Sequence, residues 1–426
     1  MSPPRRFPTT PTPLRVRFAL VALLLALLVP GGVRAQTHED KHVSALTTHV
    51  LITVSPVTLV DPVQQRRARA ITDIQQGLFF GWAFAPIVAF LWLWRSGNAA
   101  RLRDALRRRV RTPWLVRAAF GAVLGALVVV AALPFAFASY RVAANVGLTQ
   151  QPIPSWFAGE VGSAAIAALC TALAVAVVLE LVDRTRLWYL AFIGLLYVAA
   201  LATVAIEPAL FAPLTSHDLP APARIVAVGD RVARAVGVTP VSVVIATDAS
   251  RSGLVAARTS GLGPFTRILL DGDVLARTTP GEHAYILARQ YAHIRRHDVL
   301  LLALCGTSFF IVAAALAVLV SDRIGFRRDD DPLSRLALVG TFLGLFVLSL
   351  LPAYNAIARD AEAQADRMAV SATGDPAAAI RVLVRTADDN LVPLCGRRTL
   401  RWYFDSRNPL GARIAAVTGR PDPCPP

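Results

Sequence analysis

Long apolar runs alternate with short arginine-rich breaks along this chain, and the alternation predicts most of its architecture. Six runs are long enough to cross a bilayer as helices, roughly 77–94, 117–139, 161–182, 187–207, 299–320 and 334–357. A shorter run, 18–29, follows Arg5, Arg6, Arg15 and Arg17 and stops at Pro30-Gly31-Gly32. With the small-residue site Val33-Arg34-Ala35, it reads as a secretory signal over 1–35, the alternative being an uncleaved first transmembrane helix.

Between the spans the period changes. Residues 222–236 place Ile225, Val228, Val232 and Val236 on one helical face, and Gly237 follows as a stop. Val241–Ala246 is a β-branched run and predicts a strand. Leu254–Thr259 and Thr266–Leu270 flank Gly261-Leu262-Gly263-Pro264, the pattern of a hairpin. Thr279-Pro280-Gly281-Glu282 combines an N-cap, a proline at the first helical position and a capping-box glutamate. It predicts a helix over 280–297 that runs on into the 299–320 span. The last span is predicted to continue through 353–372 and stop at Gly374, after which Asp375-Pro376 caps another helix. The fold class is therefore mainly α, a polytopic membrane protein carrying a small α+β part.

Composition agrees. The 426 residues are 55% apolar with a mean hydropathy of +0.51, too apolar for an ordinary soluble domain. The formal charge is +16, and Lys41 is the only lysine. The arginines cluster in short loops beside apolar spans, which excludes nucleic acid as a partner and names the lipid bilayer instead. Segments 95–117, 184–186 and 321–335 are arginine-rich, whereas 140–160 has only Arg141. The positive-inside rule then puts those three in the cytoplasm, and 36–76, 208–298 and 358–426 together on the outer face of a bacterial-type inner membrane. Cys170 and Cys305 fall in apolar spans. Cys395 and Cys424 lie in the polar C-terminal segment and are free to pair if that segment is outside the cytoplasm.

Several motifs point one way: Asp61-Pro-Val-Gln-Gln-Arg-Arg-Ala-Arg-Ala70, Glu207-Pro-Ala-Leu-Phe-Ala-Pro213, Thr259-Ser-Gly-Leu-Gly-Pro-Phe-Thr-Arg-Ile268, Ala358-Arg-Asp-Ala-Glu-Ala-Gln-Ala-Asp366 and Ser406-Arg-Asn-Pro-Leu-Gly-Ala-Arg-Ile414. In order and spacing they resemble the CAAX prenyl protease type I family of membrane-embedded zinc endopeptidases, over roughly 55–418. The resemblance implies a ring of about seven transmembrane helices around a chamber. It also implies a zinc held by both histidines of an H-E-x-x-H helix and by a glutamate from a later helix. On this basis 1–35 is a signal or first transmembrane helix and 36–76 an extramembrane segment. Residues 77–211 are the helices of the N-terminal family domain, 212–298 a protease-like domain, 299–357 a transmembrane hairpin and 358–426 the C-terminal part of the protease-like domain.

Carried over residue by residue, the resemblance gives a degenerate site. His293 matches the second zinc-binding histidine and Glu362 the third ligand. Asp366 lies one turn on, and Arg359 matches a basic residue preceding the glutamate. Arg289 replaces the first ligand, Gln290 the general-base glutamate, and Arg407 the histidine of a Ser-His-Pro segment. Leu254, Val255, Ala256 and Ala257 match the strand that borders the peptide cleft, with Ala256 where the family usually has asparagine. A catalytic zinc needs three protein ligands and a water. Arginine cannot ligate, and an amide cannot take a proton from water. The resulting expectation is a pseudoprotease without a cofactor, binding a peptide or membrane-protein partner, with an Arg289–Glu362 ion pair in the metal's place. Two alternatives stand beside it: an active zinc peptidase built on His293, His297 and Glu362, and a structural or assembly factor. His38-Glu39-Asp40-Lys41-His42 is a literal H-E-x-x-H without an apolar helix around it, and reads as chance.

Overall fold

The computed structural model describes residues 43, 46–210, 219–246, 257–325 and 331–424. The leader over 1–35, the His38–His42 motif, and Leu254, Val255 and Ala256 of the cleft strand lie outside the described residues.

Two short helices, α1 (Thr48–Thr53) and α2 (Pro56–Leu59), lead into α3 (Pro62–Arg95). Asp61 caps α3, its carboxylate accepting from the Val63 amide at 2.7 Å, with proline in the first turn. There follow α4 (Asn98–Arg109), which carries the basic loop, then α5 (Pro113–Asn145), α6 (Ile153–Arg184) and α7 (Trp188–Leu210). Among the described residues six helices are long and apolar enough to cross a membrane: α3, α5, α6, α7 and the later α11 (Asp298–Gly325) and α12 (Pro332–Thr373). They are the six apolar runs of the sequence. Most of their apolar surface is not covered by protein. A helix satisfies its own backbone groups, so such surface is stable against lipid.

The α+β part lies between α7 and α11. It comprises β1 (Leu219–Pro220), α8 (Ala223–Val236), β2 (Ser242–Ala246), β3 (Ala257–Ser260), β4 (Arg267–Asp271), α9 (Gly272–Arg277) and α10 (Pro280–Arg295). The sheet order is β1-β2-β4-β3, with β1 and β3 at its edges. The predicted hairpin forms: β3 pairs antiparallel with β4, Ala257 opposite Leu270 and Ser260 opposite Arg267. β2 pairs parallel with β4, Val243 opposite Ile268, so both strands point alternate side chains at α8 and α10. Ile225 and Val232 of α8, Val243, Ile268 and Leu270 of the sheet, and Tyr285, Leu287 and Tyr291 of α10 form one buried core.

The chain beyond the membrane hairpin closes this core. α12 is one helix of 42 residues that continues out of its span and ends at Gly374, φ 62°. Ala361, Ala365 and Ala369 are buried along the face on which α10 packs. α13 (Pro376–Asp388), α14 (Arg398–Phe404) and α15 (Leu410–Thr418) complete the fold. A second core joins Leu51 and Leu59 of the N-terminal turns to Ile380, Leu383 and Ile414. Cys395 and Cys424 form a disulfide beside it.

One expectation is corrected. The helix begun at Pro280 does not run on into the next span. It ends at Arg295, and His297 adopts φ 53° before α11 starts at Asp298. Asp298 is buried, takes Arg296 Nε at 3.3 Å and His293 Nδ1 at 2.8 Å, and sits in the first turn of α11, where a carboxylate is favoured. Those contacts draw the chain into a corner that no glycine or proline announces.

Candidate functional site

α10 is fixed at its start. Thr279 Oγ1 accepts from the Glu282 amide at 3.4 Å, and Glu282 Oε2 accepts from the Thr279 amide at 3.2 Å. Glu282 is fully buried and also meets Arg385 Nε at 3.1 Å and Arg381 Nε at 3.4 Å on α13. The cap thus doubles as an ion-pair anchor between α10 and α13.

From that anchor α10 presents Arg289, Gln290 and His293, while α12 presents Glu362 and Asp366 one turn apart. Arg289 Nη2 is ion-paired with Glu362, and Arg289 Nε lies 2.9 Å from Asp366. Arg407 Nε reaches the other Glu362 oxygen at 3.3 Å. Arg413 of α15 grips Asp366 with two bonds, Nε at 2.7 Å and Nη2 at 2.9 Å, and Tyr285 donates its hydroxyl to Asp366 at 3.1 Å. His293 Nε2 is 3.9 Å from Glu362. Two carboxylates are therefore shared by three guanidiniums.

Burial governs the protonation states. It pulls Arg289 down to about 10, with the nearby positive charge of Arg413 adding to the effect, so Arg289 stays charged at neutral pH. Burial and the Asp366 carboxylate push Tyr285 up to about 12, so it stays a neutral phenol. Burial holds His293 below the ordinary histidine value, although its bond to Asp298 opposes that.

Of the other residues singled out in the sequence, Gln290 is buried and accepts a bond from Thr259 Oγ1 of β3 at 3.1 Å, tying that edge strand to α10. Arg359 turns away from the carboxylates and donates to the backbone carbonyl oxygens of Trp402 at 3.4 Å and Asp405. Ala257 is the first residue of β3. His297 does not share a helical face with His293, because the helix has already ended; the three-donor set of His293, His297 and Glu362 does not assemble on one helix face. The sequence reading missed Arg413, Tyr285 and Asp298. Arg413 was inside a quoted motif. Tyr285 was one turn before Arg289, a spacing that places both on one face. Asp298 was too near the expected helix to be read as its end.

Zinc does not fit these residues. Glu362 and His293 converge, but the third side chain in reach of Glu362 from α10 is a guanidinium, which carries no lone pair for a metal. Among the described residues no group of three His, Cys, Asp or Glu side chains is placed to hold a metal ion.

Two family profiles match the sequence. The CAAX prenyl protease N-terminal domain, described by its five membrane helices, matches residues 65–217. Peptidase family M48 matches residues 221–420. The crystal structure of S. mikatae Ste24p is similar in fold, with a TM-score of 0.72 at 16% identity, covering 96% of this chain and 100% of that chain. No match is found among curated proteins.

Proposed function

This chain belongs to the membrane zinc metallopeptidase family of the CAAX prenyl proteases, and within that family we propose that it is a non-catalytic member that binds extended peptide without cutting it. One observation carries the reading: the Arg289 guanidinium sits against Glu362, where a metal-binding histidine would have to stand. A fixed positive charge there neutralises the glutamate as zinc would, yet supplies neither a bound water nor a Lewis acid. Gln290, tied to β3, has no basic atom with which to activate water. What is kept is the scaffold: the edge strand β3, the helix beside it and the membrane helices beneath.

We place the protease-like part on the outer face of a bacterial-type inner membrane. The arginine asymmetry of the loops and the Cys395–Cys424 pair support that side. The test of function is direct. Protein purified without chelators and analysed by mass spectrometry for metals is expected to hold far less than one zinc per chain. It is also expected to leave a mixed peptide library intact. Stoichiometric zinc, or cleavage abolished by His293→Ala, overturns the proposal.

A further inference from the structure

The same replacement that excludes zinc leaves the site's positive charge on guanidiniums, and in excess. Arg289, Arg407 and Arg413 face Glu362 and Asp366, three positive charges against two negative. The neighbouring groups do not restore the balance. Asp298 is matched by Arg296, and His293 hydrogen-bonds that same carboxylate. Asp360, bonded by the neutral Gln364 amide, and Asp405 keep their negative charges, and Arg359 and Arg401 beside Asp405 offset those two. Tyr285 stays neutral and provides no counter-charge.

The surplus is accessible. Arg289 and Arg413 are 12% and 8% exposed, but Arg407 is 58% exposed. It reaches Glu362 through Nε alone, so further N–H donors of an exposed guanidinium remain for a carboxylate. A peptide is the occupant the surroundings favour. β3 is one of the two edge strands of the sheet, and through Thr259 it is tied to Gln290, the residue next to Arg289. A segment added along β3 passes beside the helix that carries Arg289.

We infer that the cleft selects acidic peptide segments, with a side-chain carboxylate held on the guanidinium of Arg407. The inference rests on the non-catalytic reading above and names its ligand class.

The experiment uses the full chain in detergent micelles and two rhodamine-labelled decapeptides with amidated C-termini, one alternating Ala and Glu, the other Ala and Gln. Fluorescence anisotropy gives the affinities. The Glu peptide is expected to bind about ten-fold tighter than the Gln peptide, a preference that shrinks with added salt. Arg407→Gln is expected to abolish the preference while leaving the melting temperature within error, since the side chain is mostly exposed. Arg101→Gln, on the remote α4, is expected to retain it. Equal affinities, no binding of either peptide, a preference that survives Arg407→Gln, or binding of acidic-lipid bicelles in place of peptide each overturns the inference. Mass spectrometry of the same samples keeps the two readings apart: cut peptide or bound zinc defeats the non-catalytic reading, whereas intact peptide without selectivity defeats only the acidic preference.

Discussion

Replacing Arg413 by leucine tests how the charged cluster is held. Asp366 is 8% exposed and takes four contacts: two from Arg413 at 2.7 and 2.9 Å, one from Tyr285 at 3.1 Å and one from Arg289 at 2.9 Å. Breaking one side of a buried pair costs about 3–5 kcal/mol, because the remaining charge is left desolvated. Asp366 keeps Arg289, so Arg413→Leu is expected at the lower end, about 3 kcal/mol. Asp366→Leu strands Arg413 and is expected to cost at least as much. Removing both charges replaces the pair with packed apolar volume, an exchange that is often neutral. Tyr285 then loses its acceptor, at about 1–2 kcal/mol. The double variant should therefore be more stable than either single, with a coupling energy of about 2 kcal/mol or more. Equilibrium unfolding in mixed micelles, followed by the fluorescence of the seven tryptophans, measures each corner of the cycle. A wild-type midpoint for Arg413→Leu, or strict additivity in the double variant, refutes the reasoning.

Other expectations follow from the same geometry. His283 is buried on α10 and held below the ordinary histidine value by burial, with Arg224 adding repulsion against a bond to Val274 that favours protonation. The unfolded chain thus binds a proton more readily, so stability should be intact above about pH 6.5 and fall as pH drops below it. His283→Asn should flatten that acid limb in pH-dependent melting; an unchanged limb counts against the assignment. A methyl group on Gly125 of α5 would strike the Ala167 carbonyl oxygen of α6, so Gly125→Ala should cost about 1–3 kcal/mol, whereas Gly159→Ala, with nothing within 4 Å, should not destabilise. Thermal unfolding in detergent separates the two. The Cys395–Cys424 link spans 29 residues, and Cys424→Ser should lower stability by roughly 3–4 kcal/mol in non-reducing buffer and by nothing further once dithiothreitol is added.

How much of this was legible beforehand depends on distance along the chain. The six spans were readable because lipid exposure imposes long uniform apolar runs. The capping box at Thr279 was readable because its two partners are three residues apart. Gly374 and Asp375 marked a helix end and a new beginning in adjacent positions. The Arg289–Glu362 contact was reached only by way of the family resemblance, since 73 residues and a membrane hairpin separate the partners. Nothing local tied Asp366 to Arg413, and no pattern distinguishes an arginine that will be buried from the many that coat the loops. The turn at His297 was missed for a different reason. It is made by side chains gathering on Asp298, not by backbone-permissive residues, so propensity carried no signal.

The single helix that leaves the membrane as α12 has a mechanical consequence. From Pro352, inside its span, to Glu362 is ten residues, about 15 Å of rod at 1.5 Å per residue. Glu362 is thus held at a fixed reach from the membrane-spanning part of the chain, and Ala361, Ala365 and Ala369 key α10, with Arg289, to the same rod. The two sides of the charged cluster therefore take their position from one lipid-anchored helix.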